Sequence, residues 1–316
     1  LGGQFIQTIE IGIVTVSAEK KQIEEQIKEG ELIQLGLHDD LPEEQYHKSP
    51  GISKHGLDML NQSPAHYIVS KSEPWEPTQP MIVGSAFHCL TLEPHKFDER
   101  FVVNTIHKDF KKQVAKDWRE EQRKSGKAIL SQKEYDNCRY MVEAIRNHPR
   151  ASILCDPDMG KAEVSGYWID KNRSLWEEDG LDPTNRLCRM RIDFINEAHN
   201  LLVDLKKAEC AGMSKFARQI HNYRYHVQHA FYMDGFRQVK GGFNPQTFIF
   251  VVVEPEPPYA IGLYELAPKD VRLGRQIYKR DLQRYHECMT NREWPAYDDR
   301  IRSLELPKYA EYLDYY

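Results

Sequence analysis

The chain has 316 residues, 40% of them hydrophobic and 11% aromatic, with a formal net charge of −5, enough for one large core or two modest ones. No run of 18 or more apolar residues and no signal-peptide pattern occurs, which argues against a spanning helix or an exported chain and leads us to expect a soluble cytoplasmic protein with no membrane partner. Six cysteines, at 89, 138, 155, 188, 210 and 288, show no Cys-x-x-Cys spacing, so free thiols are expected rather than a disulfide framework or an iron–sulfur site.

The chain opens on Leu1, so a fragment or processed form is expected. Phe5 to Val16 alternates as a strand does, and Ala18 to Leu35 reads as a charged helix leading into acidic Asp39-Asp-Leu-Pro-Glu-Glu44. Residues 1–50 carry four Lys against ten acids, a net of −6, whereas residues 51–316 net +1. We therefore expect 1–50 to be an acidic arm or the remnant of a longer protein, and 51–316 to form the main domain. Ser53 and Ser63-Pro64 read as helix starts, and the proline-rich stretch Ser72 to Pro80 as a loop. A helix over Met81 to Leu92 follows, carrying Gly84-Ser-Ala-Phe-His88 in an otherwise apolar or small context. There a histidine is more often a satisfied core residue than a ligand. His107 to Lys127 holds eight Lys/Arg against four acids, including Lys111-Lys112 and Arg123-Lys124. Such a stretch could track a phosphate backbone or be a solvated face. Helices are expected over Phe110 to Gln122 and Gln132 to Asn147.

Strands are expected at about 162–169, 187–195 and 201–207. The last two flank the polar turn Asn196-Glu-Ala-His-Asn200 and so form a hairpin. With the turn centred between Ala198 and His199, facing residues have numbers summing to 397, which sets Asp193 opposite Asp204. Lys206 shares their face through the period-two alternation. Two opposed carboxylates repel unless a cation lies between them, and hard oxygen donors suit magnesium or manganese. Lys206 would then supply positive charge beside a reacting phosphate, and the Leu205 carbonyl could also reach the metal. A solvated strand face is the plainer reading of the Asp-x-Lys triplet. Glu163 reads as a cross-strand surface charge that could add a further carboxylate. A helix over 214–236 sets Gln228 and Tyr232 on one face at i, i+4. His226 and His229 suggest zinc only if a complementary Cys or His pair is nearby, and none is evident. The apolar run Thr247 to Val253 is expected inside a sheet covered on both faces. A strand from Tyr259 to Leu266 and a helix from Lys269 to Thr290 complete an α/β fold, a central mixed sheet flanked by helices with a helical N-terminal part.

In chain order the sequence thus carries Gly-x-x-x-His, a lone Asp, Asp-x-Lys and Gln-x-x-x-Tyr. From about Pro50 to the C-terminus it resembles the RecE-like (exonuclease VIII type) nuclease domains of the RecB-like branch of the PD-(D/E)XK nucleases. The resemblance rests on Gly84-Ser-Ala-Phe-His-Cys-Leu90, Cys188-Arg-Met-Arg-Ile-Asp193, Val203-Asp-Leu-Lys-Lys207, Tyr223-Arg-Tyr-His-Val-Gln-His-Ala-Phe-Tyr232 and Glu293-Trp-Pro295. It implies that His88, Asp193, Asp204 and the Leu205 carbonyl bind Mg2+, with Mn2+ as the substitute. It makes Lys206 the catalytic lysine, and Gln228 and Tyr232 its helix companions. It further implies 5′→3′ degradation of linear duplex DNA from its ends, a homotetrameric ring, and a RecT-like single-strand annealing partner for the 3′ strands left behind. Ser53 is the candidate by position for holding the DNA 5′ end. The superfamily often has Glu where this chain has Asp204; Asp is usual in the RecE-like group. The competing readings are a structure-specific or single-strand endonuclease of the same superfamily and a non-catalytic DNA-end binding module.

Overall fold

The computed structural model describes residues 34–72, 76–170, 187–239 and 245–305. The strand and helix expected between Phe5 and Leu35 lie outside them, except for Gln34 and Leu35, which are not helical. The described chain begins with β1 (Gly36–His38) and a short helix α1 (Glu43–Lys48), then α2 (Lys54–Gln62), α3 (Pro64–Ser72) and α4 (Gln79–Leu92). Next come α5 (Phe97–Arg100), β2 (Phe101–Asn104), α6 (Gln113–Lys124), β3 (Ala128–Ser131), α7 (Gln132–Asn147) and α8 (Ala151–Leu154). The second half supplies β4 (Gly160–Ile169), β5 (Leu187–Asn196), β6 (Leu201–Lys207), α9 (Met213–Asn222), α10 (Tyr225–Val239), β7 (Thr247–Val253), β8 (Ile261–Glu265) and α11 (Pro268–Asn291).

Six strands form one sheet in the order β1-β4-β5-β6-β7-β8. Every neighbouring pair is antiparallel except β6 with β7. A parallel pair needs a crossover, which α9 and α10 provide. The mixed, helix-flanked sheet expected from the sequence is the sheet observed. A separate parallel pair, β2 with β3, has no counterpart among the expected strands. Those strands are only four residues each and carry no long alternation.

Apolar side chains fill both faces of the sheet. One face packs Leu202, Phe248, Phe250 and Val252 beneath α2, α10 and α11, with Leu57, Leu60, Phe231 and Leu282. The other packs Val203, Leu205, Val251 and Val253 beneath α4 and α7, with Phe87, Met141 and Ile145. Such two-sided burial is why β7 reads as an unbroken apolar run. Start signals seen in the sequence work locally: Ser53 caps α2 by accepting from the Gly56 N–H at 3.2 Å. Close helix packing is visible at Gly274 of α11, where a Cβ would lie 2.0 Å from the His226 carbonyl oxygen of α10.

One expectation needs correction. The helix expected over 214–236 is two helices, broken at Tyr223-Arg224, where Arg224 takes a left-handed φ of 54°. Its guanidinium explains the break: it donates to the Leu57 carbonyl and Asp58 at 3.0 Å each and pairs with buried Asp281. Within the acidic first fifty residues, 36–49 join the body of the domain. β1 pairs with β4, and Tyr46 is buried. The Arg189 guanidinium of β5 donates to the Ser49 carbonyl at 2.6 Å and to the Ser49 hydroxyl at 2.7 Å, and also bonds the Tyr46 carbonyl.

Candidate active site

The site forms where the sheet ladders open. β5 and β6 pair at Phe194–Val203, Ile195–Leu202 and Asn196–Leu201, each pair summing to 397 as the turn predicts. The ladder stops before Asp193 and Asp204. There the Asp193 Oδ2 accepts the Leu205 N–H at 2.9 Å, so a side chain takes the place of a backbone acceptor. On the other side of β5 the pairing with β4 runs through Ala162–Phe194 and resumes at Val164–Ile192, skipping Glu163 opposite Asp193. Both strands change face at this level. Cys188, Met190, Ile192 and Val164 lie in one core, and Phe194 and Ala162 in the other. Glu163 has a left-handed φ of 54°, a conformation that costs a non-glycine residue roughly 1–3 kcal/mol and persists only where the surroundings enforce it.

The result is a compact set of ionisable groups from four elements. His88 of α4 lies with its Nδ1 3.7 Å from Glu163 Oε1 and 3.7 Å from Asp193 Oδ2. The Arg191 Nε donates to Glu163 Oε2 at 2.7 Å. On β6, Asp204 is 1% exposed and is held from two sides. Gln228 of α10 donates its Nε2 to Asp204 Oδ1 at 2.5 Å, and the Lys206 ammonium lies 2.5 Å from Oδ2. Lys206 also sits 5.0 Å from the centre of the Tyr225 ring, a cation–π contact. Tyr232, one turn beyond Gln228, is buried.

Burial and mutual charge set the protonation states. Burial alone would lower the His88 pKa, but the Asp193 and Glu163 carboxylates outweigh it and raise it to about 9. Burial would raise Glu163; its pairing with His88 and Arg191 prevails and holds it at about 2. Asp193 goes the other way. Burial, reinforced by the charge of Asp204, pushes it up to about 6 against the pull of His88 and Lys206. Lys206 is raised because Asp204 and Asp193 overcome its burial, so it stays charged.

This donor set fits a hard divalent cation. His88, Glu163 and Asp193 offer one ligand atom each, all within 4.8 Å of one another, and carboxylate oxygens with one imidazole suit Mg2+ or Mn2+. Asp204 Oδ2 is buried and pairs with the Lys206 ammonium, so the second carboxylate of the site already carries a compensating charge.

Of the residues singled out in the sequence, His88, Asp193, Asp204, Lys206 and Gln228 come together here, and Tyr232 is buried against Phe231 and Phe248. Ser53 is a helix cap. Beside it, Lys54, Asp58, Asn61 and residues 222–225 line a cleft of about 370 Å³. Lys111, Lys112, Arg123 and Lys124 are exposed on and just before α6. Glu163 is the residue that sequence reasoning undervalues. Nothing in Ala162-Glu-Val-Ser signals the turn of its backbone. The break in alternation at Ile192-Asp-Phe-Ile195 is the only visible trace of the kink it shares with Asp193.

A mixed sheet that opens around two aspartates, with a lysine two residues beyond the second, defines the PD-(D/E)XK nuclease superfamily as the class. Residues 53–307 match the model of the PDDEXK-like domain of unknown function DUF3799, and the chain belongs to that family. Among solved structures it is similar to a candidate exonuclease from Eubacterium rectale, with a TM-score of 0.50 and 13% identity over 87% of this chain and 99% of that one. That likeness is one of fold. No curated protein matches the chain.

Proposed function

We propose that this chain is a Mg2+-dependent 5′→3′ exodeoxyribonuclease, able to use Mn2+, that degrades linear duplex DNA and leaves 3′ single strands for strand annealing. The observation that supports the reading is the joint tethering of Asp204 by Lys206 and Gln228 beside the opened Asp193. His88, Asp193, Asp204 and the Leu205 carbonyl would hold the divalent ion, with Glu163 alongside. Bound there, the ion would supply Lewis-acid charge to a phosphodiester and lower the pKa of a water.

The chain's own residues do the rest. Lys206, kept cationic by two carboxylates, presents a compact positive charge where the phosphorane gains negative charge. Gln228 fixes which Asp204 oxygen faces the metal. The exposed Lys111, Lys112, Arg123 and Lys124 are the phosphate-tracking surface of the reading, through long-range attraction that salt weakens. Ser53 and the cleft next to it are its candidates for receiving the 5′ end. A homotetrameric ring and a RecT-like annealing partner belong to the same reading.

Digestion of end-labelled linear duplex beside covalently closed circles, with Mg2+ or with EDTA, tests it. Mg2+-dependent loss of the linear form from its 5′ ends, circles spared, is the expected result. Cutting of circles would replace the exonuclease reading with an endonuclease of the same superfamily.

A further inference from the structure

Residues 36–49 precede the matched family domain, yet they reach the active centre. We propose that Arg191 is a positioning residue that holds Glu163 as a ligand of the metal site, and that the segment around Leu41 and Tyr46 holds Arg191 in place. The inference rests on the reading of this cluster as a metal centre and deepens it.

Three tethers fix the Arg191 guanidinium besides Glu163. Its Nη1 donates to the Ser165 hydroxyl at 2.8 Å and to the Leu41 carbonyl at 2.9 Å, and the group lies 5.8 Å from the centre of the Tyr46 ring. Its Nε engages only one Glu163 oxygen, Oε2 at 2.7 Å, while Oε1 faces His88. The carboxylate is thus divided: one oxygen is anchored and the other is offered to the site. The left-handed backbone of Glu163 brings the side chain inward, and Arg191 fixes its direction. Leu41 and Tyr46 lie before residue 53, where the family match begins, so this clamp is supplied by chain outside the matched domain.

The sign of the effect separates positioning from plain electrostatics. A guanidinium beside a cation site repels the cation, so deleting its charge should tighten metal binding if charge were its only influence. Loss of a positioning partner should weaken binding instead, typically by about 10–100-fold.

Mn2+ binding to the DNA-free, EDTA-stripped full chain, followed by electron paramagnetic resonance of free Mn2+, reads this without any turnover. We expect Glu163→Gln and Arg191→Gln each to weaken binding by about tenfold or more. In the Glu163→Gln background, Arg191→Gln should have no further weakening effect, since neighbouring residues that act through one another are non-additive. Tyr46→Leu, which touches no ligand, should follow Arg191→Gln in both backgrounds and carries the test if Arg191→Gln does not fold. Unchanged or tighter Mn2+ binding in Arg191→Gln, or equal weakening with and without Glu163, overturns the inference. Mn2+ binding that is indifferent to Asp193→Asn overturns the metal-centre reading itself, and the inference with it.

Discussion

Asp193→Asn should make the metal-free protein more stable while abolishing cleavage. In the folded chain, burial and the charge of Asp204 raise the Asp193 carboxyl from its ordinary 3.8 to about 6. A carboxyl raised in this way is a liability above its folded pKa. It is ionised in both states, and the folded state bears the cost. The penalty is absent below about pH 4, sets in as pH rises from 3.8 to 6, and is complete above that. The shift corresponds to at most about 3 kcal/mol at 1.36 kcal/mol per unit, and about 1–3 kcal/mol is the working range for a group this close to His88. Asparagine keeps an oxygen for the Leu205 N–H, now accepted at 2.9 Å, and removes the charge. At pH 8 in EDTA, calorimetry should show the variant melting higher by about 2–12 °C, given roughly 2–4 °C per kcal/mol for large domains. At pH 5, about midway through that window, the gap should be about half as large, and it should close below about pH 4. A variant that melts below the wild type at pH 8, or a gap independent of pH, would refute the reasoning.

Lys206→Ala should lower the cleavage rate by about 10²–10³-fold with Mn2+ binding retained, because the group acts on developing charge rather than on the metal; single-turnover rates beside Mn2+ titrations check this. Gln228→Ala leaves Asp204 Oδ1 without its donor and should cost about 10–100-fold in metal affinity or activity, measurable from the Mg2+ concentration at half-maximal rate. For His88, a folded pKa near 9 against an ordinary 6.5 means a stabilising contribution that is full below pH 6.5 and lost as pH rises to 9. Metal affinity should rise over the same window, since the imidazolium cannot ligate. Calorimetric Mn2+ titrations from pH 6.5 to 9 should climb for the wild type and stay flatter for His88→Gln. Replacing Lys111, Lys112, Arg123 and Lys124 by Ser should weaken DNA binding for all sequences alike and reduce the salt slope by about one for each phosphate no longer neutralised, read from binding isotherms at several salt concentrations.

Much of this fold is legible because its elements carry their own signals. The hairpin register follows from a polar turn between two alternating runs, and β7 from six consecutive apolar residues that two covered faces require. The Ser131 cap with Glu134 marks where α7 begins. What is not legible depends on contacts between distant segments. The split between α9 and α10 exists because Arg224 finds Asp58 and Asp281, far away in sequence. The short parallel pair of β2 and β3 has no period long enough to read. Residues 36–49 look like an acidic arm by composition, yet Tyr46 and Ser49 are bound by Arg189, a residue whose place under them no local pattern reveals.

The site obeys the same division, and the division explains its chemistry. Asp204, Lys206 and Gln228 are readable because strand and helix periods put them on faces. Glu163 is not, because its position comes from abandoning the period: at Asp193 both neighbouring ladders open, and both strands turn over together. A regular sheet consumes its backbone groups pair by pair and leaves its side chains pointing straight out of either face. Opening the ladder at one level frees the Leu205 N–H for Asp193 and turns Glu163 and Asp193 toward His88. The kink that costs the sheet its pairing is therefore what brings the Glu163 and Asp193 carboxylates beside His88. The local strain at Glu163 is sustained by Arg191 and the cores on either side, since a backbone held at φ 54° by its own preferences would relax to extended strand.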